Sequence, residues 1–278
     1  MRGDLHCHTS LSDGSVGIEE VISNAKLVGL HFIAITDHDS MSSFSRSRVL
    51  GERYGIEVIQ GVELSAYDVK RKRKVHILCY LPKKPDRLVA ICNRTTEQRK
   101  KAGIEMAKRV MHKYPIAAER ITRYSFSSKC IYRQHIMHAL MDAGYALSIY
   151  GEEYDKLFGS GEHSCNVPIE YPDVYEVLET VHSAGGIAVL AHPRVYDSFD
   201  LLDELLEQKR LDGIEVWHPR NQKGDSEHLL NLALEHNLIP TGGSDFHGMY
   251  NSSLTNVGKC YTPQKYIDLL FQLDKDVK

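Results

Sequence analysis

Residues 4–36, DLHCHTSLSDGSVGIEEVISNAKLVGLHFIAIT, predict a strand, a helix and a second strand in succession. Asp4–His8 is a short run that favours a strand, and apolar residues then recur at helical spacing between positions 18 and 28. Gly29 favours the end of that helix, and Phe32–Thr36 is a β-rich run that is apolar on both faces. This order of elements is typical of a parallel sheet covered by helices.

The same alternation continues along much of the chain. Further strands are predicted at Glu57–Glu63, Val75–Tyr80, Ile187–His192, Gly213–His218 and Ile239–Gly242. Helices are predicted at Pro172–Ala184, Leu201–Gln208 and Ser226–His236, and from Thr262 onward. Seven strands that are mostly separated by helices predict an α/β fold with a parallel barrel, and an open doubly wound sheet is the alternative.

The alternation is interrupted after Pro82 and Pro85. From about residue 86 to residue 164 the chain has helical periodicity and no clear buried strand, and Ile131–Ala143 is its clearest helix. We therefore predict that residues 1–82 and 165–278 form the barrel with the functional site. Residues 83–164 are predicted to form a helical insertion that caps the substrate.

Composition limits the classes of partner. The net charge of −3 gives no general attraction to nucleic acid, so any site for a polyanion must be local. Six cysteines without a C-x-x-C pair predict a protein of the reducing cytoplasm rather than a disulfide framework. No apolar run approaches the roughly 20 residues that span a bilayer, so no membrane partner is expected.

Histidines and carboxylates lie almost entirely at the ends of the predicted strands or in the loops that follow, whereas His76 lies within its strand. His6 and His8 are spaced i, i+2, which places both imidazoles on one face of the first strand. In a parallel barrel such strand ends share one rim, where active sites are built. The candidate metal ligands are His6, His8, Asp13, His38, Glu63, His76, His192, Asp245 and His247.

This set of side chains predicts several metal ions rather than one. A catalytic zinc takes about three protein ligands, so nine residues suit two or three ions, with Glu63 as the natural bridge. Imidazoles mixed with carboxylates favour Mn²⁺, Fe²⁺ or Zn²⁺ over Ca²⁺ or Mg²⁺. A single histidine at a strand end is usually only a hydrogen-bonded or surface residue, and the prediction depends on the joint pattern. Asp4, Asp37 and Asp39 are predicted to orient the ligand imidazoles.

Six segments resemble, in order, the signature segments of the polymerase and histidinol phosphatase (PHP) family of phosphoesterases. They are DLHCHTSLSDGS, ITDHDS, GVELSA, VHILCY, VLAHP and GGSDFHG. The resemblance covers about residues 1–82 and 165–260, and it implies a distorted seven-stranded (β/α) barrel. The helical insertion is similar to one in a subgroup that acts on nucleoside 3′,5′-bisphosphates and on the 5′ ends of short RNAs.

The resemblance implies roles for individual residues. One ion would be held by His6, His8, Glu63 and Asp245, a second by Glu63, His76 and His192, and a third by Asp13, His38 and His247. Glu63 and His192 would be catalytic through a hydroxide that bridges the metals. Tyr132–His135 resembles an Arg-Pro-His segment that meets substrate phosphate, although Gln134 replaces the proline. Arg133, His135 and Arg194 are therefore the candidate phosphate-binding residues.

The predicted function is metal-dependent hydrolysis of a nucleotide phosphate ester, either a 3′,5′-bisphosphate or the 5′ end of a short oligonucleotide. Histidinol phosphate is an alternative substrate. An amidohydrolase is an alternative class, although such enzymes often bridge their metals with a modified lysine, and Lys74 is expected to precede its strand. A metal-binding domain without catalysis is the remaining alternative.

The basic run Lys70–Lys74 (KRKRK) has two interpretations. It is expected to be a solvated loop, and a contact with RNA phosphate is the alternative.

Overall fold

The computed structural model describes residues 1–276, so positions 277 and 278 of the predicted barrel region lie outside the described residues. The strands are β1 (Arg2–Cys7), β2 (Phe32–Ile35), β3 (Glu57–Asp68), β4 (Arg73–Tyr80), β5 (Ile187–Leu190), β6 (Gly213–Trp217), β7 (Ile239–Gly242) and β8 (Thr262–Pro263). The helices are α1 (Ile18–Leu27), α2 (Phe44–Tyr54), α3 (Val89–Lys113), α4 (Ala118–Tyr124), α5 (Arg133–Asp142), α6 (Glu152–Phe158), α7 (Val174–Ser183), α8 (Phe199–Glu207), α9 (Asp225–Glu235) and α10 (Gln264–Asp276).

The strands form one sheet in the order β7-β6-β5-β4-β3-β2-β1-β8, which curves into a nearly closed barrel. Near the closure, the chain after β7 makes a parallel bridge to β1 between Phe246 and Cys7. The Thr262 hydroxyl of β8 donates to the carbonyl of Gly242 in β7 at 2.9 Å. The predicted seven-stranded α/β barrel is thus confirmed, with the two-residue β8 as an addition where the sequence predicted a helix start.

One of the seven predicted strands, β4, differs from the parallel arrangement that the sequence predicted. β4 runs antiparallel to both β3 and β5, and β3 extends to Asp68, five residues beyond the predicted end at Glu63. The physical reason is the short link between β3 and β4, because parallel neighbours need a crossover of about a dozen or more residues. The consequence is that β4 begins, rather than ends, at the rim where the parallel strands finish.

The helices cover the barrel as their apolar spacing predicted. In α1, Val21, Ile22 and Ala25 are fully buried, and Gly29 follows with a positive φ of 72°. α10 packs against β1, β5, β7 and β8. In the region of residues 83–164 the structure has α3–α6 and no strand, and these helices share an apolar cluster that also includes Cys165 and Tyr250. No described helix is both long enough and apolar enough to cross a membrane.

Candidate metal centre

The first two histidines of the centre come from β1 and the residue that follows it. His6 and His8 are fully buried, and their Nε2 atoms lie 3.1 Å apart. The loop after β7 packs directly on this strand, since a Cβ on Gly243 would lie 2.4 Å from the backbone nitrogen of His6. Glycine at position 243 therefore lets the segment that carries Asp245 approach His6.

Glu63 occupies the middle of the cluster and is 1% exposed. Its Oε1 lies 2.5 Å from His76 Nδ1 and 2.8 Å from His192 Nε2. Its Oε2 lies between 3.1 and 3.3 Å from a ring nitrogen of each of His6, His8 and His38. A carboxylate that faces imidazoles from both oxygens has the geometry of a bridge between metal ions.

Two further carboxylates complete the arrangement. Asp13, from the loop after β1, lies 3.3 Å from His247 Nε2 and 3.7 Å from His38 Nε2. Asp245 Oδ1, from the loop after β7, lies 3.3 Å from His8 Nε2. The nine residues that the sequence predicted as ligands are therefore brought together at one end of the barrel.

The backbone is strained at two of these positions. His192 and Asp245 have positive φ angles of 28° and 47°, a region that non-glycine residues seldom occupy. Such conformations cost about 1–3 kcal/mol each and persist where the surroundings impose them, which is commonly at functional sites.

The donor atoms fit divalent metal ions. Four groups of ligand atoms lie within 4.8 Å of one another, namely His8–Asp13–His38–His247, His6–His192–Glu215, His6–His8–Glu63 and His38–Glu63–His76. Several buried atoms here have no hydrogen-bond partner, namely His8 Nδ1, Asp13 Oδ1, His38 Nδ1, Glu63 Oε2 and His192 Nδ1. Buried polar atoms without partners are costly, and coordination to a metal would satisfy them.

Burial lowers the pKa values of histidines in the cluster, whereas nearby carboxylates raise them. Burial lowers the pKa of His76 to about 3 in spite of the Glu63 carboxylate, and burial also holds the pKa of His38 well below its ordinary value. Burial alone would lower the pKa of His8, but the nearby carboxylates of Asp245 and Glu63 raise it to about 10. The carboxylates thus favour positive charge inside the cluster, and a divalent cation meets the same demand.

Glu215 of β6 supports the ligands, a role that the sequence did not predict. It accepts a hydrogen bond from His6 Nδ1 at 2.9 Å and another from the backbone N–H of His192 at 2.7 Å. The first bond fixes the His6 tautomer so that Nε2 faces Glu63. A lone charged residue inside the apolar run GIEVW was the available signal, because a buried charge needs partners.

The predicted orienting role of Asp4, Asp37 and Asp39 is wrong as stated. Asp4 accepts backbone N–H bonds from His6, Ser244 and Gly258, which joins β1 to the closing loops. Asp37 accepts from Thr9 and Ser12, and Asp39 from Ser65 and Arg99. None of the hydrogen bonds described for these carboxylates involves an imidazole, so they hold the loops rather than the rings.

A cavity of about 230 Å³ opens onto the metal centre. Part of its lining is the cluster itself, namely Asp13, His38, Glu63, His76, His192, Asp245 and His247. The rest includes four cations, Lys74, Arg99, Arg133 and Arg220, and the tyrosines Tyr132, Tyr154, Tyr171 and Tyr196. The cavity therefore joins a metal-binding floor to basic and aromatic walls, which suits an anionic ligand.

The three predicted phosphate-binding residues lie in different environments. Arg133, at the start of α5, lines the cavity. His135 is fully buried and its Nδ1 accepts a hydrogen bond from the backbone N–H of Tyr132, so it stabilises the start of α5. Arg194 donates two hydrogen bonds to Asp225, at 2.7 and 2.6 Å, and is not part of the cavity lining.

Most of the basic run is neutralised within the protein. Lys70 and Arg71 pair with Glu204 of α8 at 2.7 and 2.5 Å, and Arg73 pairs with Asp200 at 2.6 Å. These ion pairs favour a structural role at the surface over a contact with RNA phosphate.

Known proteins resemble this chain over most of its length. Residues 4–217 match the model of the PHP domain. The chain is 39% identical to the phosphoribosyl 1,2-cyclic phosphate 1,2-diphosphodiesterase of Eggerthella lenta, over 90% of this chain and 95% of that protein. It is 28% identical to a 5′-3′ exoribonuclease of Haemophilus influenzae, over 88% of this chain and 89% of that protein.

Two further similarities concern another relative and a solved structure. The chain is 29% identical to the 3′,5′-nucleoside bisphosphate phosphatase of Chromobacterium violaceum, over 88% of this chain and 86% of that protein. The fold matches a Bifidobacterium adolescentis protein that is inferred to be a metal-dependent phosphoesterase, with a TM-score of 0.86 and 28% identity over 98% of this chain and 96% of the other.

Proposed function

Because this chain belongs to the PHP domain family and is an enzyme that hydrolyses phosphate esters, we propose that its reaction uses two or three divalent metal ions at the barrel rim. The observation that carries the proposal is the cavity that joins the His-, Asp- and Glu-rich cluster to basic side chains. The expected ions are Mn²⁺, Fe²⁺ or Zn²⁺, since imidazole and carboxylate ligands suit them.

The ligands divide into three sets that share Glu63. One ion would be held by His6, His8, Glu63 and Asp245, a second by Glu63, His76 and His192, and a third by Asp13, His38 and His247. The contacts of Glu63 and Asp13 with these imidazoles support the division. Ions held in this way would lower the pKa of water near Glu63 and His192 and so supply a nucleophile near neutral pH.

The residues of the cavity wall bind and orient the phosphate group. Arg133 and Arg220 line the cavity, and their guanidinium N–H groups are suited to donate to non-bridging phosphate oxygens. These bonds strengthen as negative charge redistributes during hydrolysis, so the two arginines act on the transition state as well as on binding. Glu215 holds His6 and the backbone of His192 in position throughout.

We propose a nucleotide phosphate ester as the substrate, either a nucleoside 3′,5′-bisphosphate or the 5′ end of a short RNA. Two relatives whose names state these activities support this choice. The insertion, residues 83–164, supplies Tyr132, Arg133, Gln134 and Tyr154 to the cavity wall and would cap the bound substrate. Five of the six cysteines are buried free thiols, which suits the cytoplasm as the compartment of the reaction.

A phosphoribosyl cyclic phosphate is the second candidate substrate. The relative that hydrolyses a phosphoribosyl 1,2-cyclic phosphate has the higher identity, 39%, over nearly its whole length. Both candidates share a ribose that carries two phosphate ester groups.

A substrate panel tests the function. Protein loaded with Mn²⁺ is incubated with adenosine 3′,5′-bisphosphate, a mononucleotide, a 5′-phosphorylated short RNA, histidinol phosphate and phosphoribosyl 1,2-cyclic phosphate, and products are separated by chromatography. We expect turnover of a doubly phosphorylated ribose to exceed that of histidinol phosphate. A panel of amides is assayed in parallel, and hydrolysis of amides without hydrolysis of any phosphate ester would overturn the proposal. Tight metal binding without any turnover would favour a non-catalytic role.

A further inference from the structure

The antiparallel course of β4 places part of the basic run beside the metal centre. The register pairs Glu63 with Leu78, Ser65 with His76, and Tyr67 with Lys74. The β3–β4 hairpin therefore continues past the metal ligands and forms one wall of the cavity. The basic run, which a parallel strand would place at the far end of the barrel, lies instead at the rim.

Lys74 differs from the rest of the basic run because its amine faces the cavity. It is spaced i, i+2 from His76, so both side chains leave the same face of β4, about 7 Å apart along the strand. The Nζ atom lies 5.0 Å from the centre of the Tyr171 ring and 5.6 Å from that of Tyr196. Among residues 1–276, no carboxylate is described within ion-pair distance of it.

A second cation, Arg99, also lies close to the Tyr171 ring. The Arg99 guanidinium is 5.5 Å from the centre of that ring, and its Nη2 donates to Asp39 and to Ser65, each at 2.8 Å. Its Nε is buried and has no hydrogen-bond partner. We call Lys74, Arg99, Tyr171 and Tyr196 the tyrosine-lined recess. Since Asp39 neutralises Arg99, Lys74 supplies the net positive charge of this recess.

The recess has the character of an anion site. A partly buried ammonium group without a counter-ion is unfavourable, and aromatic faces compensate for only part of the lost hydration. The positive potential extends to Tyr171: burial alone would raise the pKa of this phenol, but Lys74 and Arg99 bring it below its ordinary value. An anionic group beside Lys74 would complete the pairing that the protein itself does not provide.

We propose that Lys74 and the tyrosine-lined recess bind the second phosphate of the substrate, the one that is not hydrolysed, and so set a preference for doubly phosphorylated ribose. The inference rests on the proposed function, because it takes the reacting phosphate to lie over the metal centre. The ribose of the substrate then spans the distance between the metal centre at His76 and Lys74. Tyr171 and Tyr196 hold the amine in place and close the recess against water.

The test compares Lys74→Met with the matched control Lys72→Met. Both changes remove one positive charge from the same run, but Lys72 is exposed. The substrates are adenosine 3′,5′-bisphosphate and the two adenosine monophosphates, each with metal-loaded protein. Lys74→Met should lower kcat/KM for the bisphosphate by about tenfold or more, mainly through KM, and leave the monophosphates within about twofold. Lys72→Met should change neither.

The outcomes separate this inference from the proposed function. If Lys74→Met keeps the preference for the bisphosphate, or loses activity equally with all three substrates, the recess does not bind the second phosphate. Turnover by the wild-type protein would still support the proposed function in either case. If the wild type hydrolyses none of them, calorimetric binding of the bisphosphate decides: weakening in Lys74→Met alone supports the recess, and equal binding in all variants refutes it. If Lys74→Met no longer binds metal or no longer unfolds cooperatively on heating, Lys74→Gln is used instead in the kinetic and calorimetric measurements.

Discussion

Replacing Glu215 with glutamine tests whether this buried carboxylate supports the metal centre. One oxygen of Glu215 accepts a hydrogen bond from His6 Nδ1 and the other accepts one from the backbone N–H of His192. A glutamine amide has the same shape but only one acceptor oxygen. In either orientation its NH₂ group would face a donor, so one of the two bonds is lost and two donors are forced together.

The expected size of the effect follows from the bond that is lost. A hydrogen bond to a charged group contributes about 1.5–3 kcal/mol, and each 1.4 kcal/mol is about a factor of ten in affinity. Because His6 and His192 are both proposed ligands, we expect Glu215→Gln to weaken metal binding by about 10- to 100-fold. This range agrees with the cost of about 10- to 100-fold that is typical when a partner of a ligand is replaced.

The assay is a titration of chelator-treated protein with Mn²⁺, followed by calorimetry and by competition with a chromophoric chelator. Glu235→Gln is the matched control, because it removes the same charge from an exposed position at the end of α9. Thermal unfolding of the metal-free proteins separates a loss of ligand geometry from a general loss of stability. Metal affinity within about twofold of the wild type in Glu215→Gln, with the fold intact, would refute the supporting role.

Two further predictions concern turnover. His8→Ala or Glu63→Ala should lower phosphate release by more than about a hundredfold at saturating Mn²⁺ while circular dichroism stays that of a folded protein, and near-normal rates in metal-replete variants would contradict the scheme. Arg133→Ala should raise KM by about tenfold through loss of a charge-assisted hydrogen bond. Arg194→Ala should leave KM within about twofold and lower only the melting temperature, because its guanidinium pairs with Asp225. A larger rise in KM for Arg194→Ala than for Arg133→Ala in steady-state kinetics would show that the two arginines are misassigned.

The clustering of the nine candidate ligands could be predicted from the sequence because the argument needed mainly strand ends. Except for His76, each candidate lies near or beyond the end of a run that favours a strand, and a barrel brings such ends together whatever the exact length of each strand. His76 is the exception, because it lies inside its predicted strand, Val75–Tyr80, and that strand runs in the opposite direction. Because β4 begins at the rim where the parallel strands finish, a residue near its start also reaches the rim. His76 therefore joins the cluster although its strand is antiparallel.

The residues of the cavity wall could not be predicted in the same way. Arg133 and Arg194 are similar in sequence terms, each next to a recognisable motif, and only the pairing of Arg194 with Asp225 distinguishes them. Arg99 lies on α3, a long helix whose sequence shows amphipathic spacing and nothing of what it packs against. Such assignments depend on contacts between segments distant along the chain, which periodicity does not encode.

The direction of β4 also bears on the amidohydrolase alternative. The sequence argument against it was that Lys74 precedes its strand, but β4 begins at Arg73 and Lys74 lines the cavity. What excludes a bridging role for this lysine is its surroundings, because its amine lies against the rings of Tyr171 and Tyr196 rather than among the clustered ligand atoms. The proposed bridge is Glu63, whose two oxygens face imidazoles from both sides. With Glu63 proposed as the bridge, Lys74 in the cavity wall is available for the substrate.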